Sequence, residues 1–325
     1  MHSVTNGTAK MRDASEQSDT STRFWRLDTS LQSDKISKDM IVYFNGKYMR
    51  KEEVAISPDD RGFLLADGIY EVIRAYEGRL FKCAEHLERL DHGLRDLQIK
   101  GIEAKSLGEV LKRLLADNAL EGDEALVYMQ VTRGAAPRGH EFPIGTTPTV
   151  YVEAKPYTPQ RQLQEDGVTA ILAPDQRWSR CDIKTILLLP NTLARQRAKE
   201  AGAFEAIFCC DGLLHEGSRS SILFVKKDRL VCPPLTNRVL PSVTRSVVIG
   251  LAMAESIEVE TRPCRESELL EFDEVMMLGT GVEIVPITAI NGRKIRQGQV
   301  GPITKCLQKA FRAAVNASRT PTLPP

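Results

Sequence analysis

The chain has 325 residues, 42% of them hydrophobic and 27% charged, with a formal net charge of +1. That length accommodates two domains of ordinary size, and the composition is that of a globular protein rather than a fibrous or disordered one. The near-neutral balance gives no overall field for nucleic acid or an anionic membrane, and no apolar run approaches the roughly 20 residues that span a bilayer.

Residues 1–39 are rich in Ser, Thr, Asp and Lys and carry no sustained periodicity, which predicts a disordered extension. Its acidic residues argue against an organelle transit peptide, and it lacks the apolar core of a secretory signal. From Met40, Asn45-Gly46 predicts a tight turn between two strands, and YEVIRAYEGRLFKC predicts a second hairpin. AEHLERLDHGLRDL places Leu87, Leu90, Leu94 and Leu97 on one helical face, and a second helix is expected near 106–118. Strands in EALVYMQVTRG and TPTVYVEAKP complete a small N-terminal α/β domain, 40–155. Pro156 and Pro159 then stiffen a linker at 156–160.

The second half opens with a strand in GVTAILAP, followed by a helix from about 190 to 201 that ends at Gly202. Short strands are expected in FEAIFCC, LLHEG, SILFVKK and RLVCPP, with a helix in VTRSVVIGLAMAES. Strands in IEVETRP and EVMMLGT, a hairpin at Asn291-Gly292 and a helix from about 302 complete a larger domain, 161–318, before a tail at 319–325. Many strands with few interposed helices predict an α+β fold (mixed α/β), not a doubly wound parallel sheet. The seven cysteines are scattered and include no Cys-x-x-Cys pair. This speaks against a disulfide framework or a structural metal site and for a reducing, cytoplasmic setting.

Four stretches can carry chemistry. In RCDIKTILLLPN, Lys184 sits in apolar company that disfavours its charge, and a neutral amine is what condensation with an aldehyde requires. A lysine whose stem lies on apolar residues while its head reaches solvent fits the same pattern. Glu216 in LLHEGSRSSILF ends a strand with buried-looking neighbours, where a carboxylate needs a cationic or donor partner; an outward-facing edge glutamate is the alternative. VLPSVTRSVVIG opens a helix whose free N–H groups suit a dianion, Gly279-Thr280-Gly281 offers another hydroxyl, and Arg89 lies off the leucine face of its helix. Arg138 and His140, two residues apart in a Gly/Pro-rich loop, can present two donors to a carboxylate or simply stand in solvent.

Taken together and in chain order, DRGFLLADGIYEVIRAYEGRLFKCAEHLERL, YMQVTRGAAPRGHEFP, RWSRCDIKTILLLPN, HEGSRSSI, VLPSVTR and LGTGVEIVPI resemble the class IV aminotransferases. These are the fold type IV pyridoxal 5'-phosphate enzymes, and the likeness runs closest to their D-amino acid transaminase branch. The resemblance implies two domains, the C-terminal one β-barrel-like with flanking helices. It implies that Lys184 is the Schiff-base lysine and that Glu216 pairs with the pyridine nitrogen. Arg89, the Val243 and Thr244 amides and the Thr280 hydroxyl would hold the phosphate, and Leu240 would pack on the ring. Tyr70, with Arg138 and His140 reaching in from a neighbouring subunit, would bind the substrate α-carboxylate, so a homodimer is implied. The partners implied are an amino donor and a 2-oxo acid acceptor, with no nucleic acid and no membrane. An R-selective amine transaminase, a branched-chain L-amino acid transaminase and an aminodeoxychorismate-lyase-type enzyme share the fold. Ser221, Ser242, Gly281 and Val282 depart from the usual family residues and bear on substrate preference.

Overall fold

The computed structural model describes residues 40–319. The expected extension 1–39, and the tail from 320 onward, lie outside the described residues, and Arg319 still belongs to the last helix. No helix among the described residues is long and apolar enough to cross a membrane.

The first half builds an antiparallel sheet from Ile41–Phe44 (β1), Lys47–Arg50 (β2), Gly68–Tyr76 (β3), Arg79–Leu80 (β4), Ala125–Thr132 (β5) and Thr149–Pro156 (β6). The order is β2-β1-β6-β5-β3-β4. The expected turn at Asn45-Gly46 holds both residues at positive φ, +47° and +89°, the conformation that lets a two-residue turn match strand twist. Its three helices are Arg61–Leu65 (α1), Cys83–Asp96 (α2) and Leu107–Asp117 (α3). Leu87, Leu90 and Leu94 of α2 and Leu111 and Leu114 of α3 pack on Ile69, Ile73, Val127 and Met129 of the sheet. Each such leucine contributes about 2 kcal/mol. The period of two along β3 then separates two functions. Ile69, Glu71 and Ile73 face the helices, while Tyr70 and Arg74 face away from them.

The second half builds a ten-stranded sheet. Its strands are Val168–Pro174 (β7), Glu205–Cys210 (β8), Leu213–Gly217 (β9), Ser221–Lys226 (β10), Arg229–Cys232 (β11), Val259–Thr261 (β12), Cys264–Arg265 (β13), Glu274–Gly279 (β14), Glu283–Ile290 (β15) and Arg293–Lys294 (β16). The path is β12-β11-β10-β14-β15-β7-β8-β9-β13, with β16 on β15. The pairs β11–β12, β15–β7 and β7–β8 are parallel and the others antiparallel, the mixed sheet that the strand-rich pattern predicts. Its helices are Arg161–Asp166 (α4), Leu189–Glu200 (α5), Val243–Ala254 (α6) and Pro302–Arg319 (α7). Helix α5 buries Ala194 and Ala198 against Phe208, and α6 and α7 bury Val248, Leu307 and Phe311 on the face carrying Leu223 and Met276. Sequence periodicity does not reveal α4, because six mostly polar residues span fewer than two turns.

The two halves touch where Tyr76 of β3 donates to Glu283 of β15 (3.1 Å), and also along one irregular segment. Residues 184–186 run beside β3, with Tyr70 N–H donating to Lys184 O (3.0 Å) and Ile186 N–H to Gly68 O (3.1 Å).

Candidate active site

That segment presents Lys184 to a cavity. Ile183 and Thr185 are buried, Ile183 in the first-half core, so the intervening side chain is directed the other way. The Lys184 ammonium lies 4.2 Å from the centre of the Tyr70 ring. Tyr70, Arg89, Lys184, Glu216, Leu240 and Thr280 all line this one cavity.

At one end stands Glu216, 5% exposed, near the end of β9. One carboxylate oxygen accepts the Leu240 N–H (3.0 Å), and the other is held by Arg177. Arg177 is itself divided: its Nε and Nη2 bond Asp175 at 2.9 and 2.8 Å, and Nη2 also donates to Arg238 O (3.1 Å). Burial pushes the Glu216 carboxyl above the usual range, and Arg177 and the Leu240 N–H offset only part of that. The carboxylate therefore remains short of positive partners, and a protonated ring nitrogen fits the deficit.

At the other end is Arg89. Its Nε and Nη2 bond the two oxygens of Glu71 at 2.6 and 2.9 Å, and Nη1 donates to Pro241 O (3.0 Å). Glu71 is fully buried on the helix-facing side of β3 and also meets His86 Nδ1 at 2.9 Å. Burial works to raise the Glu71 carboxyl, but the Arg89 guanidinium and then His86 hold it down at about 2. The same ion pair orients Arg89 toward the start of α6. There Ser242 caps the helix, accepting the Arg245 N–H (3.2 Å), and Val243 and Thr244 form its first turn. The free N–H groups of a helix start, an arginine and a nearby hydroxyl are a donor set suited to a phosphate.

Arg138 and His140 behave differently. Both are exposed in the loop after β5, and neither lines the cavity of its own chain. The loop is tied to α1 through Arg61, which donates to Gly139 O at 2.7 Å. Sequence reasoning missed Arg177, which divides itself between Asp175 and Glu216, and Glu71, which fixes Arg89. Glu71 did leave a signal, a carboxylate in phase with Ile69 and Ile73 on a buried strand face.

Comparison with known proteins agrees with this geometry. The sequence profile of the family described as amino-transferase class IV matches residues 68–290. A D-alanine aminotransferase of Bacillus licheniformis is 38% identical over 285 residues, covering 87% of this chain and all of that protein. One from Staphylococcus epidermidis is 37% identical, covering 85% and 98%. Among solved structures, a branched-chain amino acid aminotransferase of Escherichia coli superposes with a TM-score of 0.80 at 26% identity, over 86% of this chain and 96% of that one. The chain belongs to the class IV aminotransferases.

Proposed function

We propose that this chain is a pyridoxal-phosphate-dependent transaminase that moves the amino group of a D-amino acid to a 2-oxo acid in two half-reactions. The observation that carries this reading is one cavity lined by Lys184, by the buried Glu216 carboxylate and by Arg89, which bonds Pro241 O beside the start of α6. The cofactor, when bound, supplies an aldehyde for the amine and a ring that draws electrons from the α-carbon. Lys184 Nζ would hold it covalently and, once released, take the α-proton and return it, acting as base and then acid. Glu216 would accept the ring N–H, and Leu240, whose N–H positions Glu216, would pack on the ring. Arg89, the Val243 and Thr244 amides and the Thr280 hydroxyl would hold the phosphate.

Tyr70 is the one member of the carboxylate trap that lines the cavity of its own chain. Arg138 and His140 are exposed, so we propose a homodimer in which each chain lends that pair to its partner's site. We read 40–155 and 161–318 as the two domains, joined at 156–160, with the cytoplasm as compartment. The free cysteines among the described residues suit a reducing environment. The D-alanine aminotransferase relatives favour D-substrates; the likeness to a branched-chain enzyme supports the second reading, an L-branched-chain transaminase. A paired assay of D- and L-alanine and D- and L-glutamate with 2-oxo acid acceptors decides between them. Turnover of the D-isomers is expected; turnover of L-leucine with no D-acid would reject the leading reading.

A further inference from the structure

The turn after β9 holds an unusual cation. Gly217, Ser218, Ser220 and Ser221 are buried, and only Arg219 among them is exposed. The cause lies in Glu205, fully buried at the start of β8. One of its oxygens accepts the Ser218 N–H (3.1 Å) and the Ser218 hydroxyl, and the other accepts the Ser220 hydroxyl (2.8 Å). Asn191 adds a bond to Ser218 O at 2.8 Å. With both flanking serines held inward, Arg219 is directed outward, where it lines the mouth of the Lys184 cavity. Its backbone lies along the Gly279-Thr280 turn: a Cβ built on Gly279 would stand 3.9 Å from Arg219 O.

A second arginine stands beside it. The Arg219 and Arg195 guanidinium carbons lie 5.2 and 4.6 Å from the centre of the same Phe204 ring. Arg195 Nη1 is buried with no hydrogen-bond acceptor. Burial and the neighbouring Arg219 charge pull Arg195 below the ordinary arginine range, and Glu205 opposes them only in part. Arg89 and Arg177, which line the same cavity, are both paired with carboxylates. Among the described residues, Arg219 and Arg195 meet no carboxylate within 4.0 Å. Two like charges beside one ring, with a buried N–H left unpaired, are relieved by an incoming anion.

We propose that Arg219, backed by Arg195, binds the distal carboxylate of a dicarboxylic amino donor or 2-oxo acid, so that the enzyme selects substrates with acidic side chains. This rests on the transaminase reading above and names the residue that sets its preference. Arg219 makes the contact; Arg195 is a positioning residue that adds charge behind it. The experiment uses the holoenzyme and compares D-glutamate with D-alanine as donors for wild type, R219Q and R219K. It also measures binding of glutarate, a non-reacting dicarboxylate, by calorimetry. A charge-assisted contact of this kind is worth roughly a tenfold effect or more. R219Q should lower the D-glutamate to D-alanine ratio of kcat/KM by that factor, mainly through KM, and weaken glutarate binding similarly. R219K should recover part of both. An equal loss on the two donors, or glutarate binding indifferent to R219Q, would overturn the inference and leave the transaminase standing. No turnover of any D-acid would instead reject the transaminase reading, whatever glutarate does.

Discussion

Glu71 and Glu216 are both buried carboxylates gripped by arginine, yet burial wins at one and loses at the other. Both oxygens of Glu71 are bonded by Arg89, and His86 adds a third donor, so its carboxyl is held at about 2. Glu216 receives one N–H of an arginine already committed to Asp175, plus one backbone N–H, and its carboxyl is raised. The desolvation cost has the same sign in both, and the number of N–H donors on the carboxylate decides the outcome. Glu71 is a finished ion pair that fixes Arg89. Glu216 instead lines the cavity and keeps a raised carboxyl.

Lys184, which lines the cavity with Glu216, gives the largest test. K184A should lower transaminase turnover by roughly 10³-fold or more, read by steady-state kinetics; full activity would remove Lys184 from the chemistry. E216Q keeps an acceptor for the Leu240 N–H but loses the charge. Turnover should drop by roughly 10²-fold while pyridoxal phosphate still binds, as absorbance titration would show. The stability of the apo chain separates the two carboxylates further. E71Q leaves Arg89 without its counter-charge and should cost about 3 kcal/mol at neutral pH in denaturant titration, whereas E216Q should cost far less. Equal losses would erase the comparison.

The pH dependence has opposite signs. The folded-state value of Glu71 lies below its ordinary value of 4.5, so its contribution is present above that value and lost as pH falls toward about 2. The folded-state value of Glu216 lies above its ordinary value, so it opposes folding at neutral pH and favours the folded state as pH falls through the raised value. Thermal unfolding of the apo chain should therefore lose less stability on acidification in E71Q and more in E216Q than in wild type. The smallest effect is expected from H86Q, about 1 kcal/mol, because Arg89 still bonds both oxygens of Glu71.

What the sequence makes legible follows from the range of the forces involved. The leucine face of α2, the turn at Asn45-Gly46 and the start of α6 rest on local patterns, and the structure reproduces each. Lys184 and Glu216 stood out as charges in apolar stretches, and the structure brings both to one cavity although 32 positions separate them. The partner of Glu216 was not legible, because Arg177 reaches it across 39 residues. Nor does local pattern show that Glu205 holds Ser218 and Ser220 inward and so turns Arg219 out. Tertiary packing alone creates that relation.

Borohydride reduction of the holoenzyme, followed by peptide mapping, tests the central claim most directly. A single cofactor-modified peptide containing Lys184 is expected, with the same site in E71Q and E216Q. A cofactor fixed on another lysine, or on none, would contradict it.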